Sequence, residues 1–264
     1  MAKDFENQNS WALILGGSTG LGLASAKKLA EQGLNICVVH RNSRAEMHAI
    51  SESFEEITKY NIEFISFNAD AINPQKMEFI TTSLKEKMGQ GKIRCLLHSI
   101  AKGNLKPMVD SGNHELTNED FMHTLNYMAV SLYDWTKALY EQGMFAKDSR
   151  VLSFTSEGNT KAYKGYGAVS VAKAAIEAIT RNIALEFAPF GIRANCIQAG
   201  LVETLSQKLI PGSEQMKDFA EKKNPFGRIT TVEDVANVVY LMCKDEARWI
   251  NGTVIIVDGG ESIT

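Results

Sequence analysis

Short apolar runs alternate with longer amphipathic stretches along the whole chain. The runs are WALIL (residues 11–15), NICVVH (35–40), IEFISF (62–67), IRCLLHS (93–99), RVLSFT (150–155), RANCIQ (193–198) and TVIIVD (253–258). Most are continuously apolar rather than strictly alternating, which is the pattern of strands covered on both faces. Helical periodicity fills the intervals, notably 21–32, 45–59, 76–88, 121–141 and 171–187. Such repetition predicts seven parallel strands joined by right-handed crossovers, an α/β, doubly wound sheet with helices on both faces. No linker breaks the alternation, so residues 1–264 are read as a single domain. The exception is 201–224, which contains Pro211-Gly212 and mixed charge and reads as a loop. Long loops in compact domains are more often functional than accidental. Its position after the sixth strand, at the carboxyl edge where such sheets bind ligands, predicts a substrate lid rather than a mere surface excursion.

Composition narrows the partners. With 44% hydrophobic residues and five prolines there is material for a core and no signature of disorder. A net charge of −3 gives no electrostatic reason to expect nucleic acid or an anionic membrane. The first ten residues are polar, and no apolar stretch reaches the roughly 18 residues of a membrane span. Cys37, Cys95, Cys196 and Cys243 lie far apart in apolar segments without metal-ligand spacing. They read as buried free thiols in a reducing compartment, so a cytoplasmic protein with no metal site is expected.

Chemistry begins directly after the first run. Gly16-Gly17-Ser18-Thr19-Gly20-Leu21-Gly22 leads straight into the first helix. Glycines there let the backbone turn tightly and approach a pyrophosphate, whose charge the helix N-terminus favours. This turn resembles the Gly-x-x-x-Gly-x-Gly of the short-chain dehydrogenase/reductase family, although Leu15 stands where that family usually has threonine. Asn68-Ala69-Asp70 is similar to the segment in which the family keeps an aspartate beside the adenine. Leu125-Asn126 resembles its helix asparagine, which holds a relay water, and residues 255–260 (IIVDGG) resemble its closing strand and turn.

The resemblance spans nearly the whole chain and implies a Rossmann-like, nicotinamide-binding fold. The cofactor contacts it implies are Gly16, Ser18, Thr19, Gly20, Leu21, Gly22, His40, Arg41, Asn42, Asp70 and Ala71, then Ser99, Ile100, Ala101, Lys173, Ala199, Gly200, Leu201, Val202 and Thr204. Cofactor choice turns on the end of the second run. A carboxylate there would bind the ribose of NAD, whereas this chain offers His40-Arg41-Asn42-Ser43-Arg44. A guanidinium at Arg41 can pair with a phosphate, so NADPH is expected over NADH, the alternative being a solvated arginine.

Reduction needs a group that stabilises charge on the substrate oxygen and a cation that anchors the cofactor ribose. The family supplies these as tyrosine and lysine on one helix, four residues apart in its ketone reductases. Four residues before Lys173 this chain has Val169, which can neither donate a proton nor bind an oxyanion; seven before it stands Tyr166. Seven steps of about 100° return to nearly the same helix face, further along the axis. In conjugate reduction of an enoyl thioester, hydride goes to C3 while charge appears on the more distant thioester oxygen, which calls for such a displaced tyrosine. Tyr-x6-Lys is the spacing of the family's enoyl-acyl-carrier-protein reductases, and YGAVSVAKAAIEAITR resembles them. His98-Ser99-Ile100 and Ile197-Gln198-Ala199-Gly200 are similar to segments of the same branch.

Ser156 stands ten residues before Tyr166, where many enoyl reductases carry an aromatic residue. That mixture is most similar to the NADPH-dependent bacterial enoyl reductases. Two roles are open for Ser156: bonding the thioester oxygen or capping the fifth strand. Tyr163 is a rival donor or a packing residue, and His98 reads as a strand-end histidine beside the cofactor. The expectation is therefore NADPH-dependent reduction of an enoyl thioester carried on acyl-carrier protein or coenzyme A. Tyr166, Lys173 and Ser156 would be catalytic. The resemblance also implies a homotetramer in which the helices at 121–141 and 171–187 pair across an interface. Two alternatives stand: another short-chain reductase of a carbonyl or conjugated small molecule, and a nucleotide-binding protein without catalysis.

Overall fold

The computed structural model describes residues 3–110, 112, 114–210 and 213–264. Its order of elements is β1 (Ser10–Leu15), α1 (Gly20–Glu31), β2 (Asn35–His40), α2 (Met47–Thr58), β3 (Phe64–Asn68), α3 (Pro74–Met88), β4 (Lys92–His98) and α4 (Asn118–Leu125). A π-helical turn (Asn126–Val130) leads into α5 (Ser131–Glu141), followed by β5 (Phe145–Thr155), α6 (Gly167–Glu186) and β6 (Ile192–Ala199). The chain ends with α7 (Leu205–Lys208), α8 (Ser213–Lys223), α9 (Val232–Cys243) and β7 (Val254–Val257).

The strands form the seven-stranded parallel sheet that the apolar runs predict, in the order β3-β2-β1-β4-β5-β6-β7. Alternate residues of β1 serve opposite cores. Ala12 and Ile14 join one with Leu29, Phe54 and Val239, while Trp11, Leu13 and Leu15 join the other with Leu84, Trp135 and Ile176. Helices α1, α2 and α9 thus cover one face and α3, α5 and α6 the other. The order reverses between β1 and β4, so the crevice beyond their carboxyl ends is where a ligand is expected in such a sheet. At the opposite edge, Arg94 and Arg150 donate to the Cys243 and Met242 carbonyls that close α9. Both guanidiniums are paired with Asp148, at 2.9 and 2.6 Å. Buried cations are tolerated there because carbonyls and a carboxylate satisfy them.

Three elements differ from the sequence expectation. The stretch 201–224 is not a long loop: it folds into α7 and α8, with Pro211 and Gly212 outside the described residues. The Thr204 hydroxyl accepts from Gln207 N and starts α7, and Met216, Phe219 and Ala220 share the cavity side of α8 at helical spacing. The helix expected at 121–141 is divided by the π-turn. Helix α9, which is not among the helical stretches read from the sequence, opens with a reciprocal cap between Thr231 and Asp234.

Candidate active site

The carboxyl ends of β1, β4, β5 and β6 converge on a cavity of about 690 Å³. Of the expected residues, Thr19, Gly20, Leu21, Ser99, Ile100, Ala101, Ser156, Tyr166, Lys173, Ala199, Gly200, Leu201, Val202 and Thr204 all line it. The remainder lie to one side. Gly16 has φ +82°, and a Cβ there would stand 2.4 Å from the Ser99 carbonyl oxygen, so only glycine brings these two segments flush. At Gly22 an added Cβ would meet Gly16 O at 2.3 Å.

The start of α1 fits a pyrophosphate. Thr19 makes no side-chain cap and the first turn holds no acid, so its leading N–H groups remain for an anion. Beyond it, Ser18 Oγ donates to Asn42 Oδ1 at 2.9 Å, and His40 Nδ1 lies 2.9 Å from the same oxygen. Asn42 is tied again through its backbone to Asn68, at 3.0 and 3.1 Å. His40 is itself buried, edge-on to Phe54, and burial lowers its pKa; it acts as a neutral support for Asn42. Arg41 is engaged through Nη1, donating to Asp70 Oδ2 at 2.7 Å and to Tyr127 OH at 3.0 Å. Ala71 packs its side chain in the core, and its carbonyl accepts from Trp135 Nε1 at 2.8 Å.

The residues expected to be catalytic stand on β5 and α6 and at their ends. Lys173 is buried at 9% exposure, and its Nζ donates to the Phe154 carbonyl at 2.7 Å. Burial pushes its pKa down to about 8, while the nearby Glu177 works in the opposite direction. Tyr166 immediately precedes α6, its carbonyl accepting the first helical bond from Ser170 N at 2.8 Å. Burial raises the phenol pKa, so it is protonated at neutral pH. Beside the phenol, Ser156 Oγ is buried and, among the described residues, has no partner within hydrogen-bond geometry. Gly158 presses on the phenol: a Cβ there would lie 2.5 Å from Tyr166 Cε1. Tyr163 stacks edge-on against Tyr166 at 6.0 Å but points its hydroxyl towards Glu157, 3.4 Å away.

Val169 is 5% exposed and lines the cavity wall. His98 is buried, with Nε2 2.8 Å from Ser131 Oγ, and burial together with the Lys173 charge pushes its pKa down to about 3, so it stays neutral. Asn126 does not reach the cavity. It is exposed at the start of the π-turn, whereas Met128, two residues on, lines the wall. The residues sequence reasoning missed are Tyr127, Lys102, Gly158 and Glu177, which accepts from Thr155 Oγ1 at 2.6 Å and so fixes the end of β5. Among the described residues no metal-ligand cluster occurs, and no helix is long and apolar enough to cross a membrane.

A family model described as enoyl-(acyl carrier protein) reductase matches residues 16–262. The 7alpha-hydroxysteroid dehydrogenase of Paraclostridium sordellii is 28% identical over 258 residues, 97% of this chain and 93% of that one. The enoyl-acyl-carrier-protein reductase (NADH) FabI of Aquifex aeolicus is 32% identical over 173 residues, 66% of this chain and 63% of that one. A solved enoyl-acyl-carrier-protein reductase (NADH) from Aquifex aeolicus VF5 aligns with TM-score 0.83 at 25% identity over 98% of both chains. These relatives are named for different substrates. The match over residues 16–262 shows the family: this chain belongs to the short-chain dehydrogenase/reductase family of nicotinamide-dependent oxidoreductases, in the group whose model is described as enoyl-(acyl carrier protein) reductase.

Proposed function

We propose that this protein uses NADPH to reduce the trans-2 double bond of an enoyl thioester. The observation that carries the reading is that Tyr166 stands seven residues before Lys173, while Val169 fills the cavity wall four residues before it, where the family's ketone reductases have their tyrosine. When bound, the nicotinamide supplies a hydride to C3 of the substrate. The Tyr166 phenol, kept protonated by burial, donates to the thioester oxygen as negative charge develops on it. Ser156 Oγ, buried and unpartnered, is a second donor for that oxygen. Lys173 spends one of its three protons on Phe154 O, leaving two for ribose hydroxyls, and its charge favours negative charge on Tyr166 and the substrate oxygen. C2 then takes its proton from solvent.

The acyl chain fits the apolar half of the cavity, whose outer wall is Leu205, Leu209, Ile210, Met216 and Phe219 of the α7–α8 segment. Leu205, Leu209 and Phe219 are largely exposed, and closure over an acyl chain would bury them at roughly 25 cal/mol per Å². That is the proposed lid; identical protease cleavage with and without both ligands would contradict it. The groove between the π-turn–α5 segment and α6, lined by Val130, Tyr133, Ile179, Ile183 and Phe187, supports a homotetramer, which a monomer by light scattering would contradict. The choice of NADPH rests on Arg41 and the missing carboxylate after β2.

The direct test is isotopic. With cofactor deuterated at the transferable position, the saturated product should carry deuterium at C3 and solvent hydrogen at C2. Deuterium at a carbinol carbon, or no transfer to an enoyl thioester, would contradict the proposal.

A further inference from the structure

Four segments meet beside the adenosine end of the site. Arg41 follows β2, Asp70 follows β3, Lys102 lies four residues beyond β4, and Tyr127 sits in the π-turn. Arg41 Nη1 donates to Asp70 Oδ2 at 2.7 Å and Tyr127 OH at 3.0 Å, and Tyr127 OH donates to the same carboxylate oxygen at 2.6 Å. Lys102 Nζ stands 4.1 Å from the centre of the Tyr127 ring.

The charges decide what this cluster can recognise. Asp70 neutralises one cation, so Arg41 and Asp70 alone present a neutral pair that gains little from a dianion over a hydroxyl. Lys102 restores a net positive charge. Burial, followed by the like charge of Arg41, lowers the Lys102 pKa, a repulsion that an incoming anion relieves. Tyr127 and Asp70 hold the guanidinium by one nitrogen, and among the described residues its Nε and Nη2 keep their donors unspent. The π-turn is what brings the Tyr127 hydroxyl to Arg41, and such turns recur at functional sites.

We infer that Lys102 and Tyr127 are specificity determinants for the 2′-phosphate of the cofactor, Lys102 by supplying the net charge and Tyr127 by fixing the Arg41 guanidinium. This rests on the NADPH reading. Lys102 touches the ligand directly; Tyr127 is a positioning residue that acts through Arg41.

The test is calorimetric binding to the full chain, using 2′,5′-ADP and 5′-AMP as probes that differ only in the 2′-phosphate. Wild type should prefer 2′,5′-ADP. Arg41→Ala should reduce that preference more than about tenfold, as loss of a charge-assisted bond does. Lys102→Gln should reduce it by about three- to fivefold, as a partly exposed charge does. Tyr127→Phe should reduce it about threefold and add nothing in an Arg41→Ala background, since both changes remove one interaction. If Arg41→Ala abolishes the preference while Lys102→Gln and Tyr127→Phe leave it intact, this inference fails and the NADPH reading stands. Equal weakening of both probes by Tyr127→Phe would make it a structural residue only. A wild-type preference for 5′-AMP would overturn the NADPH reading and the inference with it.

Discussion

The two ends of the site are built on opposite principles. At the adenosine end the side chains are tied to one another before a ligand arrives: Ser18 and His40 to Asn42, Asn42 to Asn68, and Arg41 through Nη1 to Asp70 and Tyr127. At the catalytic end Ser156 Oγ has no partner, the Tyr166 hydroxyl makes no hydrogen bond among the described residues, and Lys173 uses one donor of three. An unmet buried donor costs about 1–3 kcal/mol. The first end is tied together before binding, and the second leaves donors free for the substrate oxygen proposed above.

If that contrast is right, damage at the two ends should separate binding from turnover. The largest effect is expected of Tyr166→Phe, which removes the donor proposed for the substrate oxygen. It should lower kcat by about two to four orders of magnitude and leave the NADPH dissociation constant within about twofold. A comparable fall on Tyr163→Phe with Tyr166→Phe silent would reassign the tyrosine.

Lys173 should reveal itself through pH. Its folded pKa is lowered from 10.5 to about 8 by burial, so the protonated form prevails below that value and is lost above it. The rate should therefore decline as pH rises through about 8, and Lys173→Met should remove that dependence along with most of the activity. A flat wild-type profile from pH 7 to 10 would contradict the role given to its charge.

Gly158→Ala probes the catalytic end by shape. The new methyl must displace a ring 2.5 Å away, so kcat should fall roughly tenfold or more with cofactor binding intact, in line with the sensitivity of catalysis to misplacement on the ångström scale. Equal kcat in the variant would mean that the ring position is not limiting. The smallest effect is expected of Ser156→Ala, which removes a secondary donor and should cost about three- to tenfold in kcat. A loss equal to that of Tyr166→Phe would make Ser156 the principal donor.

The two ends also differed in how far the sequence revealed them. The strands were legible because both faces of the sheet are covered, so each reads as an unbroken apolar run. The glycine turn and Arg41 were legible from their places directly after the first two apolar runs, and Tyr166 and Lys173 from a Tyr-x6-Lys spacing that resembles one branch of the family. Tyr127 was not, because a π-turn shifts the register of an otherwise regular helical pattern. Neither was Lys102, whose relation to Arg41 exists only across separate strands. Gly158 carries no periodic signal, and its need for glycine arises from a ring eight residues later in the chain. The α7–α8 segment read as a loop because its polar composition hid the apolar spacing of Met216, Phe219 and Ala220.

The central claim is that the substrate oxygen lies beyond reach of a one-turn tyrosine and within reach of Tyr166. It is tested most directly by offering purified protein and NADPH a trans-2-enoyl thioester and, separately, a 3-oxoacyl thioester of equal chain length. Both reactions consume the same cofactor, so its absorbance loss compares them on one scale. The enoyl substrate should turn over at least roughly a hundredfold faster, the loss expected when a reacting oxygen lacks its donor. Comparable rates, or preference for the 3-oxo thioester, would contradict it.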